Sequence, residues 1–444
     1  MKKFFKYFVL FLIIGCSVVV YQNYPRLNII TGYASKSTAS VVYLANRPLE
    51  SVESQDNNYA PVNQSSSSVN REEQSASSKV FGLKKRTAVY REGLGAVLVN
   101  DSYDANASYL IPNRTKETKP LPFPYGNMPQ KDTIFENVDY KRLQAAVAAT
   151  FDTIGGFDLK TRSFLVLYKD QIIAESYADG FDENSLHLGW SMTKSVMSTV
   201  YGVLNAQGKM DVDQRAPIAA WKNDERAEIT ISNLLQMNSG LEWEEDYGKI
   251  SDVTKMLFLE TDMTKTAIDK PLVGKPNESW YYSSGTSNLL SGILRNQFDS
   301  HQAYLDYWYT DFIDRIGMHS MTVEADLAGN YVASSYAWAT ARDWAKFGLL
   351  YLHNGNWNGD QVLTPEWITY ATTPTNDSDG AYGAQFWLND GGSLPDAPRG
   401  MYYADGYQGQ RVYVIPSKEL VIVRTGLANI DFNTVLKEVL ASVK

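Results

Sequence analysis

Apolar positions are distributed very unevenly along this chain. Residues 7–21 form an almost unbroken apolar run, interrupted only at Gly15-Cys16-Ser17. From about residue 51 to 79 apolar positions nearly vanish. Gln64-Ser65-Ser66-Ser67-Ser68 and Ser75-Ala76-Ser77-Ser78 dominate there, a composition that predicts a flexible linker or a long surface loop. Val89, Leu94, Val97, Leu98 and Val99 restore structured character, and Leu121-Pro122-Phe123-Pro124 leads into the main domain. Beyond residue 132 the pattern becomes regular. Leu143, Val147 and Phe151 recur at helical spacing and predict a helix over 140–151. Two apolar runs, 163–168 and 172–177, flank Lys169-Asp170-Gln171 and predict a hairpin. A helix is predicted over 191–205, with Met192, Val196, Val200 and Val203 on one face. Helical segments follow at 231–237, 289–295 and 341–353. Strands at 412–415 and 420–424 surround Pro416-Ser417-Lys418, and a last helix covers 432–443.

This order of helix, hairpin, helical middle, strands and helix predicts an α+β fold. An antiparallel sheet built from both ends of the region is flanked by helices, with a mostly helical second subdomain between. The expected organisation is an N-terminal signal or anchor over 1–21, an extension with a Ser-rich linker over 22–131, and one enzyme-sized domain over 132–444.

The chain has 444 residues, 44% of them hydrophobic and only 20% charged, which points to a globular enzyme. The net charge of −9 argues against nucleic-acid binding, which depends on clustered Lys and Arg across a surface. Cys16 is the only cysteine, so no intramolecular disulfide can form. A basic start, Lys2-Lys3 and Lys6, followed by a short apolar core is the plan of an export signal. Leu12-Ile13-Ile14-Gly15-Cys16 resembles the lipobox of bacterial lipoproteins, which would make Cys16 the lipidated residue. An uncleaved anchor and free secretion are the alternatives. All three place the chain outside the cytoplasm, periplasmic or at the cell surface, and the first two tether it to a membrane.

Three motifs carry chemistry. Ser191-Met192-Thr193-Lys194 is the only Ser-x-x-Lys in the chain. Residues at i and i+3 share a helix face, so the Lys194 amine can reach the Ser191 hydroxyl, and a desolvated lysine can serve as a base near neutral pH. A bland reading is an ordinary serine cap. The second motif is Trp280-Tyr281-Tyr282-Ser283-Ser284, where Tyr282 can pass a proton between nucleophile and leaving group. The third is Gly406-Tyr407-Gln408-Gly409-Gln410, just before a strand. There the N–H of Tyr407 could join that of Ser191 as an oxyanion hole.

Together these motifs resemble the serine β-lactamase-like hydrolases, the group of class C β-lactamases, penicillin-binding proteins and related esterases. Tyr282-Ser283-Ser284 stands where class C enzymes have Tyr-x-Asn. Ala404-Asp405-Gly406 stands where Lys-Thr-Gly is expected, which removes a cation that would hold a β-lactam carboxylate. Gly189-Trp190-Ser191 through Ser195, and residues 234–241, are most similar to the 6-aminohexanoate-dimer hydrolase branch of amidases and esterases. The resemblance implies catalysis by Ser191, Lys194 and Tyr282 on a small-molecule or peptide-like substrate. Tyr247, Ser284, Gly406, Gly409 and Gln410 would line the substrate site, with no metal and no cofactor. A Ser-His-Asp hydrolase lacks a Gly-x-Ser-x-Gly elbow. His187 reads as a surface or cleft-wall residue, and a non-catalytic binding module would not need all three catalytic groups.

Overall fold

Strand pairing begins where the apolar pattern is weakest. The computed structural model describes residues 2–101, 103–154 and 157–444; side chains at 2, 3, 13, 16–22, 153, 154 and 157 lie outside the description. The chain divides into two compact units. The first comprises Met1–Arg91, Gly95–Ala107 and Glu244–Thr261, and the second the remainder.

In the first unit, helices α1 (Lys2–Asn23) and α2 (Arg26–Ala39) precede four strands. These are β1 (Ser65–Asn70), β2 (Ser75–Val80), β3 (Leu83–Arg91) and β4 (Gly95–Val99), paired antiparallel in sequence order. The expected Ser-rich linker is therefore sheet. Serine hydroxyls pair across the strands, Ser67 with Ser78 and Ser77 with Thr87, each at 2.8 Å. The buried cluster where α2 meets the sheet is alanine, Ala39 of the helix with Ala76, Ala88 and Ala96 of the strands, flanked by Tyr43, Val69 and Leu98. Small residues on both faces let helix and sheet approach closely without any apolar alternation, so the segment carries no strand signal that periodicity can read. The helix Asp252–Leu259 seats on α2, where a Cβ added at Gly32 would stand 3.2 Å from Phe258 Cβ. The expected border at residue 131 falls inside the second unit, and residues 244–261 join the first. Cys16 lies within α1, but its side chain is outside the described residues. Among the described residues no helix is long and apolar enough to cross a membrane.

The second unit follows the predicted order. Its elements are α3 (Tyr140–Ala148), β5 (Thr161–Tyr168), β6 (Gln171–Tyr177), α4 (Met192–Ala206), α5 (Ser284–Arg295) and α6 (Ala341–Leu352), then β7 (Trp387–Leu388), β8 (Tyr402–Gly406), β9 (Gln410–Ile415), β10 (Leu420–Gly426) and α7 (Phe432–Ser442). The six strands form one antiparallel sheet in the order β7-β8-β9-β10-β5-β6. The C-terminal β10 thus pairs with β5, with Ile422 opposite Val166. Strand alternation divides the core. Phe164, Val166, Tyr413 and Ile422 point toward Leu143, Val147, Leu436 and Val439 of α3 and α7. Val412 and Val421 point toward α6, where Gly348 lets the helix lie close. Between Met192 and Leu204 every residue of α4 is buried, as expected of a helix enclosed on all sides.

The approach of α6 to the sheet has a measurable consequence. A Cβ at Gly348 would lie 2.6 Å from Val421 Cγ1 and 3.0 Å from Val412 Cγ1. Gly348→Ala should therefore lower stability by about 1–3 kcal/mol through overpacking, although alanine is the better helix former by about 1 kcal/mol. Urea denaturation measures the balance, and an unchanged or raised midpoint would refute this packing.

Candidate active site

Ser191 is the N-cap of α4, yet its side chain makes no capping hydrogen bond. The hydroxyl instead lies 3.0 Å from Lys194 Nζ, one turn along. That rules out the reading of Ser191 as an ordinary cap. The turn leading to it is held by two unusual residues. Trp190 adopts a left-handed conformation, φ 47°, and the Gly189 N–H donates to Ala337 O at 2.8 Å. A side chain at Gly189 would strike the Trp344 ring, 2.4 Å away.

Lys194 is almost fully buried, only 1% exposed. Its ammonium donates to Ser191 Oγ at 3.0 Å, Ser284 Oγ at 3.0 Å and Ser334 O at 2.9 Å. The middle partner comes from the second motif. Ser283 caps α5 by accepting from the Thr286 N–H at 3.1 Å, which sets Ser284 on the first turn facing Lys194. The third comes from a segment that α5 itself holds: Asn288 Oδ1 accepts from the Ser334 N–H, and Ser291 donates to Tyr331 O. Tyr282 stands just before this helix, and Lys194 Nζ lies 4.8 Å from its ring centroid. The Tyr282 ring stacks on Trp387 at 5.6 Å and meets Tyr382 edge-on at 5.9 Å. A hydroxyl, an amine and a phenol side chain are thus gathered at one helix N-terminus, where the dipole favours developing negative charge.

The third motif meets them from the sheet. The end of β8 lies so close to the Ser191 turn that a Cβ at Gly406 would fall 2.1 Å from Gly189 O. Gly409 N–H closes the turn onto Gly406 O at 3.1 Å. In a trans peptide the Tyr407 N–H then points away from the turn interior. The Tyr407 ring packs edge-on against Trp190 at 5.7 Å. Ser191 N–H lies in the first turn of α4, whose N–H groups have no intrahelical acceptor.

The remaining expected residues divide. Gly409 is a backbone requirement, with φ 80° and the Arg424 guanidinium 2.7 Å from any added Cβ. Gln410 turns inward, bonding Tyr407 O and both the O and N–H of Gly426. Its side chain ties β9 to β10. Tyr247 belongs to the first unit, where its hydroxyl donates to Glu245 at 2.7 Å. His187 is buried and stacks on Phe181, which removes the surface alternative and leaves the cleft-wall one. Two grooves of 690 and 610 Å³ elsewhere on the second unit contain none of the candidate residues.

Two groups escaped the sequence reading. Asp405 pairs with Arg411 across β8 and β9, and burial pushes its carboxyl up to about 6, opposed by the charges of Arg411 and Lys194. The 406–410 turn alone fixes that register, so the pair was readable. Arg424 is fully buried and, among the described residues, has no carboxylate partner. It donates instead to Thr161 Oγ1 and to the carbonyls of Leu159, Gln408, Gly409 and Ala428, and so braces the 406–410 turn. No local pattern marks it, because every partner but Thr161 is a carbonyl.

This geometry agrees with the family comparison, in which the Beta-lactamase family model matches residues 156–437. The chain belongs to the Beta-lactamase family. Proteins of this family are hydrolases, among them esterases, amidases and β-lactamases. The 6-aminohexanoate-dimer hydrolase of Paenarthrobacter ureafaciens is 23% identical over 300 residues, covering 60% of this chain and 72% of that one. Among solved structures, a penicillin-binding protein from Bacillus halodurans aligns with TM-score 0.52 and 16% identity, covering 67% of this chain and 99% of its own. A family VIII carboxylesterase aligns with TM-score 0.53 and 15% identity, covering 70% and 98%. At such identities the structural likenesses speak for the Beta-lactamase fold, and they do not distinguish among its substrates.

The contact at Gly406 gives a direct test of the oxyanion geometry. Gly406→Ala should push β8 away from Gly189 and misplace the Tyr407 N–H. The kcat of ester hydrolysis should then fall by about 10²–10³, the usual effect of losing one oxyanion donor. Less than a tenfold loss in a folded variant would show that this strand end is not part of the machinery.

Proposed function

We propose that this protein is an exported serine hydrolase that cleaves amide or ester bonds through an acyl-enzyme on Ser191. The observation that carries the reading is the Lys194 ammonium nitrogen, buried and 3.0 Å from an uncapped Ser191 hydroxyl. Lys194 in its neutral form takes the hydroxyl proton as Oγ attacks the carbonyl carbon. The N–H groups of Ser191 and Tyr407 hold the resulting oxyanion. Tyr282 delivers a proton to the departing amine or alcohol as the C–N or C–O bond breaks. Water then attacks the acyl carbon, and the proton path runs in reverse to regenerate Ser191. Ser284 holds the lysine, and Gly406 allows the close approach.

The substrate class follows from the third motif. Where a β-lactam-binding site would offer a free lysine, this chain has Ala404, and the neighbouring Asp405 is held in an ion pair with Arg411. The Arg411 guanidinium is turned over the Phe432 ring, 4.6 Å from its centroid. Among the described residues no unpaired cation is left there for a carboxylate, which favours neutral linear amides and esters. We further propose that the N-terminus tethers the enzyme to a membrane through Cys16, a reading supported by the basic start, the apolar run and the Leu12-Ile13-Ile14-Gly15-Cys16 sequence.

Ser191→Ala should abolish both turnover and labelling by a fluorophosphonate probe without unfolding the chain. Lys194→Ala and Tyr282→Phe should each lower kcat by about 10²–10⁴, and the double variant should lose far less than the product of the two, because the groups act as a unit. Full activity in a folded Ser191→Ala protein would overturn the mechanism. Nitrocefin should be turned over more slowly than simple chromogenic esters, and the opposite ranking would overturn the substrate class.

A further inference from the structure

The hairpin between β2 and β3 is built at a cost that the fold does not explain. Val80 and Leu83 pair directly, which leaves Phe81 and Gly82 as a two-residue turn. Both are left-handed, with φ 51° and 76°. Turns of this kind favour Asn-Gly, because few side chains accept positive φ in the first position. Here that position holds a phenylalanine, and 77% of its surface is exposed. Leu83 beside it is 46% exposed. Strain and exposed apolar area both disfavour Phe81 in water.

Its surroundings identify a medium in which both costs are recovered. Lys79, Lys84 and Lys85 flank the tip, and no acidic residue occurs between positions 75 and 91. The opposite end of β2 carries Glu72 and Glu73 instead. Lys84 Nζ stands 4.6 Å over the ring of Tyr24, the residue that directly follows α1. The basic, apolar tip therefore lies at the C-terminal end of α1. That helix exposes large apolar side chains around its circumference, a pattern suited to an apolar surrounding. We propose that the Phe81-Gly82 tip is a second membrane contact. Phe81 and Leu83 enter the boundary of the acyl chains, while the three lysines meet anionic headgroups. The membrane contact would hold the first unit in a fixed orientation, with Glu72 and Glu73 facing water.

The inference rests on the tether reading of the N-terminus and is independent of the hydrolase chemistry. It can be tested on the full-length chain in a Cys16→Ser background, with a nitroxide at Phe81→Cys or at Glu72→Cys. Vesicles of phosphatidylcholine and phosphatidylglycerol are the probe, and spin-label collision with oxygen and with a water-soluble nickel chelate is the readout. On bound protein the nickel reagent should lose access to position 81 and keep access to position 72. In the Cys16→Ser background, Phe81→Asn suits the turn, so it should keep or raise the melting temperature while lowering vesicle partitioning about tenfold. A vesicle-bound chain whose position 81 stays open to nickel overturns the second contact and leaves the tether standing. A chain that stays in the supernatant overturns the second contact; the Cys16 tether, removed in this background, is unaffected by that result. Protection of position 81 without vesicles, growing with protein concentration, assigns the tip to a second copy and overturns the lipid assignment.

Discussion

The second unit is organised around one buried positive charge. Removing an ammonium group from water costs several kcal/mol unless oxygens replace its hydration. Lys194 meets that demand with partners drawn from three separated parts of the sequence: Ser191 on its own helix, Ser284 at the start of α5 and the carbonyl of Ser334. Each must be delivered within hydrogen-bonding distance, so the charge fixes how α4, α5 and the 331–336 segment meet. The Ser283 cap, the Asn288 amide and the Ser291 hydroxyl all serve that requirement. Because one of the lysine's partners is the candidate nucleophile, satisfying the charge and preparing the hydroxyl are the same structural task.

A second buried cation sets the other half of the site. Arg424 is paired to peptide carbonyls, and its fork gathers Gln408, Gly409 and Ala428 on one side with Leu159 and Thr161 on the other. Burial depresses its pKa to about 9, and backbone dipoles rather than a carboxylate offset the charge. The consequence is mechanical: the turn carrying Tyr407 is bonded to the beginning of β5 and to the end of β10, the central strands of the sheet. Arg411, by contrast, is neutralised by Asp405 and adds no free charge to the strand end.

Much of this was legible in the sequence where one physical rule dominates. The Ser-x-x-Lys spacing, the hairpin around Lys169-Asp170 and the amphipathic α3, α6 and α7 follow from periodicity and helix geometry. Strand β8 was missed because Tyr402-Tyr403-Ala404 shows no alternation, being buried on both faces. The Ser-rich strands were missed for a different reason. Serine hydroxyls can satisfy one another across a ladder, and alanines can form a core too thin to register as apolar. The Ser334 carbonyl was beyond reach in principle, since a backbone oxygen leaves no mark on the residue type.

The membership of residues 244–261 in the first unit bears on biosynthesis. Helix Asp252–Leu259 fills the seat above Gly32 and sets Phe258 5.7 Å from the Tyr33 ring. Yet it is encoded more than a hundred residues after the last strand of that sheet. A ribosome that has finished β4 has not made all the parts of the first unit, which must wait with an uncovered α2 until much of the second has emerged. The two units are therefore interleaved in time as well as in sequence. A chain cut near residue 131 would deprive each half of something the other encodes, so neither is a freely transferable module in evolution.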